Sequence, residues 1–150
     1  MNRPAIILLV EDNPMDVELT LDAFKERRLD NVVRVATGGQ EALEYLLGYG
    51  QYADRSAHPL PDIILLDLKM PAVDGHEVLR QIKAKAILKR VPVIVLTSSA
   101  EEGDLALSYD NGANSYLVKP VSFNGFLDVV QRIDDYWMTL NVFAPDNVAV

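Results

Sequence analysis

The sequence predicts an α/β domain: a five-stranded parallel sheet, doubly wound by helices. Three unbroken apolar runs, Ala5–Val10, Ile63–Leu66 and residues 91–96, are rich in Ile, Val and Leu and do not alternate with polar residues. That is the pattern of strands buried on both faces beneath covering helices. With two weaker strand candidates and the helical spacings between them, strand and helix alternate five times. The length of 150 residues suits one domain able to bury a core without a disulfide or metal staple.

Each element has its own signal. After the first strand, Asn13 is placed to cap a helix whose first turn accepts Pro14. Val17, Leu21 and Phe24 continue it at helical intervals toward Leu29. Residues 32–36 read as the second strand, and Ala42, Leu43, Leu46 and Leu47 mark the second helix. Residues 48–61, with two prolines, read as an extended surface loop. Ile63–Leu66 forms the third strand, Val78, Leu79 and Ile82 mark the third helix, and residues 91–96 are the fourth strand. Leu105, Ala106 and Tyr109 mark a short fourth helix, stopped by Asp110-Asn111-Gly112. One hydroxyl among Thr97, Ser98 and Ser99 is expected to cap it. Ser115–Val118 is the fifth strand, and Ser122 starts a fifth helix with Phe126, Val129, Val130, Ile133 and Trp137 on one face. Periodicity fades after Trp137, so a domain over residues 1–140 and a tail over 141–150 are expected. His58 and His76 are expected at the surface.

Composition narrows the function. A formal net charge of −8 argues against general attraction to nucleic acid. The absence of Cys excludes disulfides and thiol catalysis, and two His argue against a histidine-built metal site. No apolar run approaches bilayer-spanning length, and Glu11 and Asp12 interrupt the first run before it can form a secretory signal. A cytoplasmic protein is the expectation.

Chemistry is expected where an open α/β sheet binds ligands, beyond the carboxyl ends of its strands. There the chain places Glu11-Asp12, Asp67, Thr97-Ser98 and Lys119-Pro120. Three converging carboxylates repel one another unless a cation lies between them or a proton is taken up. All-oxygen donors favour a hard octahedral ion, Mg²⁺ or Mn²⁺. There is no GxxxxGK[ST] loop, and Lys69 stands where an aspartyl-phosphate phosphatase has its second Asp.

Four stretches in register then carry a resemblance: Leu8-Leu9-Val10-Glu11-Asp12-Asn13; residues 62–71 ending in Lys69-Met70-Pro71, with Asp74-Gly75; Leu96-Thr97-Ser98-Ser99; and residues 112–120 ending in Val118-Lys119-Pro120. Over about residues 5 to 137 the chain resembles a response-regulator receiver domain of bacterial two-component systems. The resemblance implies the (βα)5 flavodoxin-like fold. It implies Asp67 as phosphoacceptor from a sensor histidine kinase, with Mg²⁺ held by Asp12, Asp67, the Lys69 backbone carbonyl and, through water, Glu11. Lys119 and Thr97 would contact phosphoryl oxygens, and Ser98 would leave room for the group.

Further implications follow from the same likeness. Lys119-Pro120 is expected to be cis, and Gly75 to occupy a positive-φ turn. Tyr116 and Pro120 belong to the switch, with Tyr116 turning inward as Thr97 moves. Lys69 and Ser99 are expected to set the phosphoryl lifetime. The resemblance is to a signalling protein and not an enzyme on external substrates. Glu11-Asp12-Asn13-Pro14 with Asp16, the loop over 48–61 and Tyr136-Trp137 are similar to stand-alone receivers paired with phytochrome-type kinases. That subgroup implies a homodimer through the fourth and fifth helices. At this length, output is expected through protein contacts or further phosphotransfer, with neither DNA nor membrane bound directly. The competing expectation is a pseudo-receiver, a scaffold that keeps the fold without the chemistry.

Overall fold

The computed structural model describes residues 3–145. Its strands are β1 (Ala5–Val10), β2 (Asn31–Ala36), β3 (Ile63–Leu66), β4 (Val93–Thr97) and β5 (Ser115–Val118). They alternate with α1 (Pro14–Glu26), α2 (Gly39–Leu47), α3 (Gly75–Ala84), α4 (Glu102–Asp110) and α5 (Phe123–Ile133). All pairings are parallel, in the order β2-β1-β3-β4-β5. This is the (βα)5 fold that the alternation predicts.

Both faces of the sheet are buried, which explains the unbroken apolar runs. Ile7, Leu9, Ile63, Leu65 and Ile94 pack with Ala23 and Phe24 of α1 and with Phe126, Val130 and Ile133 of α5. Their neighbours Leu8, Val10, Ile64, Leu66 and Val93 face the other way, onto Ala42, Leu43 and Leu46 of α2 and Val78, Leu79 and Ile82 of α3. Each such large side chain contributes roughly 1.5–3 kcal/mol through burial. The helices start where their caps dictate. Asn13 Oδ1 accepts from the Met15 and Asp16 amides, Asp74 Oδ1 from Glu77, and Ser122 Oγ from Gly125.

Several expectations are corrected. The fourth strand begins two residues late, because Pro92 has no N–H to donate; it extends instead to Thr97. The α4 cap position is Glu101 with no side-chain cap bond; Ser99 stands two residues too early to cap, and its Oγ accepts from the Glu101 amide instead. That helix buries Ser108, while Ala106 and Tyr109 are exposed. Gly75 does not need positive φ. It is glycine because a Cβ there would lie 2.2 Å from the Asp67 carbonyl oxygen; the left-handed residue of this loop is Ala72, at φ 62°.

The surface loop over residues 48–61 is tied down. Gly48 ends α2 at φ 71°, and Gly50–Tyr52 forms a 3₁₀ turn. The Arg55 guanidinium then donates to the carbonyls of Tyr45, Leu46, Tyr52 and His58. The His58 ring meets Tyr45 and Tyr52 edge to face, and the two tyrosines pack tilted at 56°, all within about 6 Å. At the other end, α5 continues as a π-helical segment over Asp134–Leu140, whose Trp137 packs half-buried on the α1–α5 core as an anchor. Phe143 of the expected tail packs there too; residues 146–150 of that tail lie outside the described residues. Among the described residues, no helix is long and apolar enough to cross a membrane.

Candidate functional site

The strand order reverses between β1 and β3, and their carboxyl ends deliver the central side chains. The Glu11 amide donates to the Ala36 carbonyl and the Asp67 amide to the Val10 carbonyl, so both acidic residues leave the sheet in fixed directions. Lys119 follows β5, its own amide donating to Thr97 at 2.7 Å. These elements form an open cleft of about 450 Å³, lined by Asp12, Asn13, Pro14, Asp16, Asp67, Lys69, Ser98 and Lys119.

Its floor is desolvated. Side-chain exposure is 3% for Glu11, 7% for Asp67 and 9% for Lys119. The Lys119 ammonium lies 2.5 Å from Glu11 Oε1, 2.7 Å from Asp16 Oδ2 and 3.2 Å from Asp67 Oδ2. Burial works against its charge, yet the hydrogen bonds to Asp16 and Glu11 and the Asp67 charge outweigh it and hold the ammonium well above its usual pKa. Glu11 is pushed up to about 7 by burial and the Asp67 charge, against the Lys119 hydrogen bond. Its Oε2 accepts from the Asn13 amide at 3.1 Å.

The residues fit a divalent cation. One carboxylate oxygen from each of Glu11, Asp12 and Asp67 lies within 4.8 Å of the other two. Asp67 Oδ1 is buried with no hydrogen-bond partner. A buried carboxylate oxygen left unsatisfied costs free energy that a cation recovers, and an all-oxygen donor set selects a hard ion.

The other expected residues fall into two groups. Ser98 is exposed in the cleft, whereas Thr97 is fully buried at the end of β4, its Oγ1 accepting a long 3.5 Å contact from the Ser99 amide. Tyr116 is half-buried, and its hydroxyl donates to the Ser99 carbonyl at 2.8 Å, joining β5 to the loop before α4. The Lys119-Pro120 peptide is trans, contrary to expectation, since no described peptide bond is cis. Lys119 still reaches inward because its ladder bond to Thr97 aims it and its long side chain spans the remaining distance. Pro120 packs under the first turn of α5, where a Cβ on Gly125 would come within 2.4 Å of its ring.

Two residues were not anticipated as parts of this region. Asp16 reaches Lys119 because it sits in the first turn of α1, directly after the carboxyl end of β1; its place four residues after Asp12 was the available signal. Asp104 of α4 gathers Lys69, His76 and Ser99, a convergence that no local pattern announces. His76 is therefore not a free surface residue: its ring is 15% exposed and Nε2 lies 3.0 Å from Asp104.

Residues 7–131 match the response regulator receiver domain. The chain is 39% identical over 137 residues to the response regulator Rcp1 of Synechocystis sp., covering 91% of each chain. It is 42% identical over 138 residues to the probable methanogenesis regulatory protein FilR2 of Methanothrix harundinacea, covering 92% of this chain and 86% of that one. The phosphorylated cyanobacterial phytochrome response regulator RcpA has a similar structure, with TM-score 0.88 and 37% identity over 95% of this chain and 99% of that one. The Mn²⁺-bound form of Rcp1 gives TM-score 0.85 over 95% of this chain and all of that one. A match over most of the chain, joined to the parallel five-stranded sheet and its acidic cleft, makes this protein a member of the response-regulator receiver family.

Proposed function

We propose that the chain is a stand-alone phosphoacceptor: Asp67 takes a phosphoryl group from the phosphohistidine of a sensor kinase with Mg²⁺ in the acidic cleft. One observation carries this reading. Asp67 is buried with Oδ2 facing Lys119 and Oδ1 unpartnered beside Glu11 and Asp12.

A carboxylate oxygen of Asp67 attacks phosphorus as the phosphorus–nitrogen bond breaks, and the kinase imidazole keeps that electron pair. A bound Mg²⁺ supplies neutralisation of the carboxylates and of the phosphoryl oxygens. Asp12, Asp67, the Lys69 carbonyl and Glu11 would hold it. Lys119 turns from Asp67 to a phosphoryl oxygen, and the exposed Ser98 leaves space beside it. Thr97, now buried with only a weak contact, moves its hydroxyl toward another phosphoryl oxygen. Such positioning and charge suffice, since phosphoryl transfer needs little acid–base chemistry. Water slowly hydrolyses the acyl phosphate and resets the switch.

The readout runs through Tyr116, whose bond to the Ser99 carbonyl ties it to the loop that Thr97 leads, with Pro120 as the link into α5. Phosphorylation shifts the population between two arrangements of α4, β5 and α5. Exposed Leu107, Tyr109, Val118 and Phe123 on those elements, with Val121 in the link between β5 and α5, favour a homodimer through this face. Kinship with RcpA supports a phytochrome-type kinase as partner. A kinase phosphohistidine as donor would put the chain in the cytoplasm, and residues 1–140 are read as the receiver domain with 141–150 as its tail.

Incubation with acetyl phosphate and Mg²⁺, followed by intact mass, tests this reading. One added phosphoryl group, lost in Asp67→Asn, is the expected result. No addition from acetyl phosphate or phosphoramidate would make the chain a pseudo-receiver.

A further inference from the structure

Asp104 lies in the first turn of α4 and is largely enclosed, with 13% side-chain exposure. Its carboxylate joins three stretches distant in sequence. Oδ2 accepts from Ser99 Oγ at 2.6 Å and meets the Lys69 ammonium at 3.1 Å; Oδ1 lies 3.0 Å from His76 Nε2. The hydrogen bonds from Ser99 and His76, with Lys69, hold Asp104 well below the usual carboxylate range, so it stays ionised.

The arms of this cluster differ. Ser99 Oγ also accepts from the Glu101 amide, and the His76 ring is 15% exposed, so both are pinned. Lys69 is not: its side chain is 60% exposed, and the residue lines the cleft together with Asp67 and Ser98. An exposed ion pair holds its partner only weakly. A phosphoryl group on Asp67 would bring a strong anion into the cleft that Lys69 already borders. The ammonium therefore has two competing partners, one on each side of the loop after β3.

We propose that Asp104 is a positioning residue for the phosphorylated state: it keeps the Lys69 ammonium at α4 and away from the phosphoryl group, leaving phosphorus open to hydrolytic water. This rests on Asp67 being the phosphoacceptor. Neutralising Asp104 releases Lys69 onto the phosphoryl oxygens, where it obstructs water and prolongs the acyl phosphate.

Asp104→Asn preserves shape and the capacity to accept from Ser99, and removes the charge. Wild type, Asp104→Asn, Lys69→Ala and the double variant are phosphorylated with acetyl phosphate and Mg²⁺, stripped of donor, and followed by phosphate release. The expected lifetime of Asp104→Asn is about threefold longer than wild type, an effect the size of one weak ion pair. In the Lys69→Ala background, Asp104→Asn changes nothing, a result that a merely structural role would not give. An unchanged or shorter lifetime for Asp104→Asn, or equal lengthening without Lys69, overturns the proposal while Asp67 phosphorylation stands. Absence of any phosphoryl uptake by wild type overturns both.

Discussion

Glu11 and Lys119 face each other at 2.5 Å, yet the carboxyl is pushed up to about 7 because burial and the Asp67 charge oppose its ionisation more than the ammonium assists it. The folded chain thus binds this proton more tightly than the unfolded chain, where Glu11 titrates near 4.5. Between these values the unfolded state carries fewer protons, so the group's contribution to stability falls as pH rises through about 4.5 to 7. Cation binding favours the ionised form and must strengthen over the upper part of that window. Thermal denaturation with and without Mg²⁺ checks this. The Mg²⁺-induced rise in Tm should be larger at about pH 8 than at about pH 6; equal rises would contradict it.

Lys119 is the shared counter-ion of Glu11, Asp16 and Asp67. Lys119→Ala leaves buried carboxylates uncompensated and should cost about 3 kcal/mol of metal-free stability at neutral pH. Urea denaturation measures that loss, which Mg²⁺ should partly restore. Phosphoryl uptake should fall in the same variant even as Mg²⁺ binds more tightly, since the ammonium no longer competes for Glu11 and Asp67.

Gly75 is held against the strand that presents the acceptor. A methyl group in Gly75→Ala would meet the Asp67 carbonyl oxygen at 2.2 Å and the Leu68 Cα at 2.6 Å. Backbone must move, costing about 2 kcal/mol and displacing Asp67. Urea denaturation and the rate of phosphoryl uptake should fall together; wild-type values of both would show that the loop yields freely.

Arg55 closes the segment after α2 through four carbonyls. Arg55→Ala should lower stability by about 2 kcal/mol, the size of a set of charge-assisted bonds in partly exposed surroundings. The site lies elsewhere, so phosphoryl uptake by the folded fraction should be unchanged. Loss of uptake at full stability would instead tie this segment to the chemistry.

The strands and the acidic cleft were legible because both depend on local signals. Apolar runs such as Ile63–Leu66 mark buried strands, and the residue just after each run must emerge at the sheet rim. What escaped notice depends on contacts across the chain. Asp16 meets Lys119 over a separation of 103 residues, and His76 meets Asp104 over 28. Neither pairing has a sequence period. Residues 48–61 read as an extended surface loop because Gly, Ser and Pro mark turns; the way that loop is tied down comes from one arginine reaching back to the end of α2. Helix α4 has little apolar face: Ala106 and Tyr109, which mark it in the sequence, lie exposed, and only Ser108 is buried.

Titrating Mg²⁺ into the protein, followed by calorimetry, tests most directly whether carboxylates from β1 and β3 share one ion. A single saturable site, abolished by Asp12→Ala and by Asp67→Ala, is the predicted result. Binding that never saturates, or that survives both substitutions, would contradict the account.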